Sequence, residues 1–343
     1  MKRYAAISKQ IKTMKYRGLA ISDKPFTRKL LQSYGYHEVV NGYQYLFKNK
    51  QNLTENFDDG IDFIDIANAF YLDAQLRMII RKSIEQFEMT FKEAVAEYFS
   101  KEIGEEQANH LNRDYFVTGK MHTPRKGSPY SDLDFLQRKV KHALNSKDKL
   151  IIHHKKKGNI PPWILYKNLT LGEMKTYFTL LKSGEIKDHI TRRMMQSEFI
   201  EFAGMELAKS YLIELLNFVH EYRNLASHAN RIFDYAPNEP NDGLKTVYKL
   251  FPDSFTKFDR KEGYGKTGIF AMMLGFSTLS NSDPFITLNN FLQEDIFPAL
   301  FSDIEGSFFG NEVAYAMRFP LSSIRVLTQT TKFTPPKHAK KHY

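Results

Sequence analysis

Residues 61–100 read IDFIDIANAFYLDAQLRMIIRKSIEQFEMTFKEAVAEYFS, and this stretch decides the fold. Its apolar residues Phe63, Ile66, Phe70, Leu72, Leu76, Ile79, Ile80, Ile84, Phe87, Phe91, Ala94 and Val95 recur at helical spacing. That period buries one face of a long helix rather than alternating across a strand. A second stretch of the same kind covers residues 198–222, where Phe199, Ile200, Phe202, Met205, Leu207, Ala208, Tyr211, Leu212, Leu215, Leu216, Phe218 and Val219 carry the stripe. It predicts one helix running on to about residue 233.

Outward from these two stretches the pattern stays helical. Residues 1–18 read as a basic helix or arm, and residues 26–34 as a helix followed by a second apolar stretch over 39–47. The polar, acidic run 49–60 reads as a connection. Residues 118–131, with Gly119, Pro124, Gly127 and Pro129, read as a loop, and residues 132–157 as a basic helix. Pro161-Pro162 opens the next element with Trp163 just inside it, and 170–181 and 186–195 read as short helices. Pro237, Pro240 and Gly243 mark the clearest boundary, beyond which 267–277 and 284–300 look helical. The expectation is an all-α protein. A basic segment spans 1–60, a helical core 61–236, with most of the core coming from 61–100 and 160–233, a C-terminal helical extension 243–335, and a basic tail 336–343.

The chemistry-bearing motif ends the second stretch: Arg223-Asn224-Leu225-Ala226-Ser227-His228. A guanidinium, an amide and an imidazole within about one and a half turns are the groups of a metal-free ribonuclease. The cation offsets phosphate charge in the transition state and the imidazole moves the proton. Arg223 and His228 lie roughly 140° apart around an ideal helix. One continuous helix therefore does not close them around a single phosphate. Either the helix breaks near Ser227 or two chains meet to share a cleft, and the geometry favours a homodimer. A plainer reading stands beside this one, since Arg and His in a last turn also complement the helix dipole and cap free carbonyls. Glu85 and Glu88, on the long helix, are candidates to pair with Arg223 and orient it.

The chain has 343 residues, a net charge of +10 and no cysteine. Disulfides, thiolate catalysis and Cys-ligated zinc are excluded, and a reducing cytoplasm fits. No run of 18 apolar residues is present and no apolar segment follows the first residues, so neither a membrane span nor a signal peptide is expected. Positive charge is concentrated: residues 1–29 carry nine Lys/Arg against one acid, and residues 138–157 eight against one. Such segments suit contact with an RNA backbone. The candidates are Lys2, Arg3, Lys12, Lys15, Arg17, Arg138, Lys139, Lys141, Lys155, Lys156, Lys157 and Arg231, with Tyr4, Tyr16, Trp163 and Tyr166 available to stack unpaired bases. A solvated surface is the alternative for each lysine run.

Several blocks together resemble the Abi family of abortive-infection proteins, of the AbiD/AbiF type, within the HEPN superfamily. They are Lys15-Tyr16-Arg17-Gly18-Leu19; Tyr34-Gly35-Tyr36 with Asn41-Gly42-Tyr43; Asp73 with Leu76-Arg77 and Ile84-Glu85; Pro161-Pro162-Trp163 with Leu169-Thr170-Leu171-Gly172; Arg223-Asn224 with His228; and Met317-Arg318-Phe319-Pro320, where Arg318 stands in place of a common Gly. The resemblance implies an all-α HEPN-type core with helical extensions at both ends, a role in phage defence, and an endoribonuclease site at Arg223, Asn224 and His228. Some relatives are similar to toxins restrained by a small structured RNA. Two alternatives remain: a non-catalytic protein that holds a structured RNA, and a phage-sensing protein-interaction switch. No cofactor and no metal are expected. Gly263-Tyr264-Gly265-Lys266-Thr267 lacks the earlier Gly that a phosphate loop needs and reads as a turn, and His338 and His342 have no neighbouring carboxylate.

Overall fold

A computed structural model describes residues 5–48, 56–228, 230–232, 235, 243–298 and 317–319. Among these residues the chain is all-α, with one two-strand hairpin of β1 (Met121–His122) and β2 (Tyr130–Ser131) inside the expected loop. In chain order the helices are α1 (Ile7–Tyr16), α2 (Lys24–Tyr36), α3 (Phe63–Glu102), α4 (Asp132–Leu144), α5 (Lys149–Lys156), α6 (Pro162–Leu165) and α7 (Leu171–Leu180), then α8 (Gly184–Met194), α9 (Ser197–Ala203), α10 (Met205–Ser227), α11 (Val247–Leu250), α12 (Lys257–Glu262), α13 (Gly268–Ser277) and α14 (Asp283–Phe291).

The long helix α3 is the axis. Its 40 residues span about 60 Å at 1.5 Å per residue. Asp62 starts it with a capping box: its Oδ1 accepts from the Ile64 N–H at 2.9 Å, and Asp65 Oδ2 accepts from the Asp62 N–H at 2.8 Å. Phe63, Ile66, Phe70, Leu76, Ile80, Ile84, Phe87, Phe91, Val95 and Phe99 are all buried. Helices α6, α8, α10 and α14 pack against it. No helix among the described residues is long and apolar enough to cross a membrane.

The second apolar stretch forms two helices where periodicity predicts one. Gly204 takes φ 76°, a left-handed conformation that glycine adopts without steric cost, and α9 ends there and α10 begins. Helix α10 also stops at Ser227 rather than near residue 233. The His228 N–H bonds the carbonyls of Asn224 and Leu225, and the Asn230 N–H returns to Leu225 at 3.2 Å. The next amide, Ile232 N–H, is taken by the buried carboxylate of Asp73 on α3 at 3.1 Å. A tertiary bond thus replaces the helical continuation that the sequence suggests, while Phe233 lies outside the described residues. The basic stretch 132–157 likewise splits into α4 and α5, because Asp148 accepts from the Leu150 and Ile151 N–H groups and starts a new helix.

The C-terminal helices share this core. Every residue of α13 is buried, and α13 packs against α10 and α14. The Gln196 side chain donates to the carbonyls of Ser277 at 2.8 Å and Leu279 at 3.0 Å, fixing α13 to the turn between α8 and α9. Glu214 on α10 accepts from the N–H and hydroxyl of Thr246.

Candidate functional site

Helix α10 presents its last turns to α3, and a cleft of about 270 Å³ opens between them. Arg81, Ile84, Glu85, Glu88, Met89 and Lys92 line it from α3, and Arg223 and Ser227 from α10. The structure therefore brings Arg223, Glu85 and Glu88 to one place. Arg223 is half-buried, and among the described residues no ion pair within 4 Å joins it to either carboxylate. Glu88 instead binds Lys92 one turn along α3, at 2.7 Å. Glu85 is exposed at the cleft and faces the same space as Arg223. Three cations against two carboxylates leave this cleft positive, a setting for a phosphate rather than for a second cation.

The other two motif residues take different surroundings. Asn224 does not line the cleft, and its Nδ2 lies 3.4 Å from His220 Nε2. His228 caps the helix with its backbone and is exposed. Of the three proposed catalytic residues, only Arg223 lines the cleft. The helix break at Ser227, one of the two geometries the spacing allows, occurs without bringing the imidazole of His228 into that cleft.

His220 is the residue that the sequence reading missed. It follows Phe218 and Val219 at the end of a buried stripe and so reads as part of the core. Yet it stands one turn before Asn224 and two before His228, so the three lie along one side of α10. Burial, then the charges of Lys175 and Arg223, lower its pKa to about 4. The ring is neutral at physiological pH, which lets Nε2 accept from the Asn224 amide. Room for the ring is made at Gly172 in α7, where a Cβ would lie 2.6 Å from His220 Nε2.

The downstream anchor is a buried network. Asp73 accepts from the Tyr43 hydroxyl at 2.7 Å, from the Ile232 N–H and from the Arg77 guanidinium. Burial, then the adjoining Asp73 carboxylate, raise the pKa of Tyr43, so its hydroxyl keeps its proton and donates. Arg231 donates to the Gly42 carbonyl and stacks over Tyr45, 5.3 Å from the ring centre. The segment that leaves the motif is thus pinned to α3 and to the turn 37–47.

The expected RNA-contacting cations divide into two groups. Arg17 bonds Gln44 at 3.0 Å and lies over Phe57, Arg138 lies over Tyr130, Lys139 reaches Glu173 at 3.3 Å and Lys155 donates to Asn145 at 2.6 Å. Arg17 and Arg231 are fastened to the fold. Lys12, Lys15, Lys141, Lys156 and Lys157 are exposed. Lys2 and Arg3, with Tyr4, His338 and His342, lie outside the described residues. Of the expected stacking residues, Tyr16 is 92% exposed and Trp163 37%, whereas Tyr166 is fully buried against Phe99, His110 and Tyr177 and cannot meet a base.

A family model described as Abi-like protein matches residues 29–234, from within α2 to just past the motif. No curated protein and no solved structure gives a match.

Proposed function

The chain belongs to the Abi-like protein family, whose setting is abortive infection in phage defence, and from that premise we propose that it is a metal-independent endoribonuclease of HEPN type, of the AbiD/AbiF kind. The observation that carries this reading is Arg223, held in a positive cleft with no ion partner among the described residues and with Glu85 facing the same space.

The reaction is internal transesterification of RNA. His228 removes the proton from a 2′-hydroxyl, the 2′-oxygen bonds to the adjacent phosphorus, and the bond from phosphorus to the 5′-oxygen breaks. The His228 imidazole of a second copy in the dimer protonates that leaving oxygen. The products are a 2′,3′-cyclic phosphate and a 5′-hydroxyl, so DNA is not cut. Arg223 stabilises the charge on the phosphate oxygens with a planar fork that Lys does not reproduce. Asn224, steadied by neutral His220, positions a phosphate oxygen or the catalytic His. An imidazole suits both proton transfers because its ordinary pKa lies near working pH.

In this reading the active unit is a homodimer. Within one chain Arg223 lines the cleft while His228 stands exposed at the helix end. A second copy docked over the cleft supplies the imidazole, and exposed lysines hold the RNA backbone on either side. Control by a small structured RNA is compatible with the same surface.

The test is cleavage of total RNA in EDTA by the wild-type protein beside Arg223→Ala and His228→Ala. Metal-independent cutting that each variant loses by at least about a hundred-fold is the expected outcome. A second reading rests on the backbone cap made by His228: the motif ends a helix, and the protein only holds RNA. Undiminished activity in His228→Ala, or cleavage of a DNA oligomer, would reject the transesterification mechanism. No cutting by any of the three proteins, with RNA bound to all, would favour the holding role.

A further inference from the structure

A second cleft adjoins the first. It has a volume of about 470 Å³ and is lined by Met89, Lys92, Glu93, Trp163, Tyr166 and Lys167. Met89 and Lys92 line both clefts, so the two meet along one edge of α3. We infer that this second cleft is a base-binding subsite, in which Trp163 stacks on an unpaired nucleobase of an RNA strand whose phosphate lies at Arg223. The inference rests on the RNA reading above and deepens it by naming the substrate class: single-stranded RNA.

Four observations carry it. Trp163 is the only tryptophan in the chain. It is 37% exposed, while its neighbours Pro162, Ile164 and Leu165 are buried, so the indole stands on a fixed platform at the mouth of the cleft. Pro162 occupies the first position of α6 with its φ already set for a helix, which pre-organises the short backbone turn that carries Trp163. Met89, 66% exposed, also lines the cleft, and a thioether beside an indole adds apolar surface suited to the face of a base. Lys92 and Lys167 line the same cleft beside the single carboxylate of Glu93, so its lining carries net positive charge for the phosphates that flank a stacked base.

Surrounding charge favours RNA over a protein segment. Helix α6 packs against α4 and α5, the two basic helices that carry exposed Lys141, Lys156 and Lys157. A strand leaving the Trp163 cleft on that side meets an excess of cations, since α5 carries Lys149, Lys155 and Lys156 with no carboxylate. Duplex RNA does not fit, because its base faces are covered by their neighbours in the stack and only single strands splay bases onto aromatic platforms. An unpaired nucleotide beside the scissile phosphate is also freer to turn its 2′-oxygen into line with the bond that breaks.

The single tryptophan makes the test direct. Full-length His228→Ala protein, which leaves RNA intact under the reading above, is titrated with a dye-labelled single-stranded RNA of about ten nucleotides. Dye anisotropy reports binding and Trp163 emission reports stacking. The expected result is a rise in anisotropy with parallel quenching of Trp163, and binding without quenching by an abasic strand of equal length. Trp163→Ala weakens binding about ten-fold while Trp163→Phe retains most of it. A rise in anisotropy with unchanged Trp163 emission overturns the subsite and leaves the RNA reading standing. No rise in anisotropy removes the RNA reading and the subsite with it. Because quenching is read on protein that retains its Trp, a misfolded alanine variant does not decide the outcome.

Discussion

At the scale of single residues, the motif depends on a histidine and a glycine outside it. His220 sits where a Cβ at Gly172 would stand, and burial lowers its pKa to about 4, as it also does for His110 against Phe99 and Tyr166. Both rings are neutral when folded at pH 7 and take up protons on unfolding below the ordinary histidine value near 6.5. Their folded pKa is depressed, so the stability linked to them is complete above about pH 6.5 and is lost as pH falls towards 4. Between pH 7 and pH 5 the loss is on the order of 2 kcal/mol for His110, which is almost fully buried, and less for His220, which keeps some solvent contact. Urea unfolding at the two pH values measures this, with His110→Phe expected to flatten the dependence. Equal stability at pH 5 and pH 7 would contradict both shifts. A second residue-scale feature concerns Arg318, which takes φ 56°, the left-handed region that glycine favours. The family block has Gly there, and the structure supplies the reason. The Arg is retained with its guanidinium bonded to Thr267 Oγ1 at 2.9 Å.

At the scale of elements, the network around Asp73 anchors the segment that follows α10. Removing its carboxylate strands the Tyr43 hydroxyl, the Ile232 N–H and the Arg77 guanidinium together. Asp73→Ala should therefore cost about 3–5 kcal/mol in urea unfolding and reduce RNA cleavage at a site it does not touch. A loss under about 1 kcal/mol would mean that the segment after His228 is held by other contacts. This network also shows what the sequence conveyed and what it did not. The long helix was legible because its stripe, with Ile66, Phe70, Leu76 and Ile80, expresses a local period. Arg223, Glu85 and Glu88 line one cleft, but the ion pair expected between them is absent among the described residues, because Glu88 binds Lys92 instead. The break after Ser227 was not legible, because the group that captures Ile232 lies 159 residues earlier in the chain. Gly204 and Asp148 carried local signals for breaks within predicted helices, but the continuous apolar or basic patterns across them masked those signals. His220 was hidden because a histidine in a buried stripe has the same spacing whether it packs or positions another side chain.

At the scale of the whole molecule, the outer face of α3 bears on assembly. Ile64, Tyr71 and Met78 follow one another at seven-residue steps, which drift only about 20° per step around a helix, and they are 39%, 41% and 67% exposed. The next residue in the row is Glu85, and Met89 stands one turn beyond it, so the apolar row runs directly into the Arg223 cleft. The proposed chemistry requires a second copy that brings its exposed His228 to this cleft, and we propose that it docks along this row. Light scattering of the wild-type protein at tens of micromolar should then give the mass of a dimer. Met78→Asp should give a monomer, since a carboxylate on each copy would be buried unpaired in the contact. Met78 is exposed in the single chain, so the variant should keep its helical circular dichroism while losing RNA cleavage, although it lies about two turns from Glu85 and the cleft wall on α3 is otherwise unchanged. A monomeric wild-type protein that cuts RNA would overturn the shared site, and His228 would then have to reach the phosphate within one chain. A Met78→Asp protein that remains a dimer and remains active would place the contact on another face.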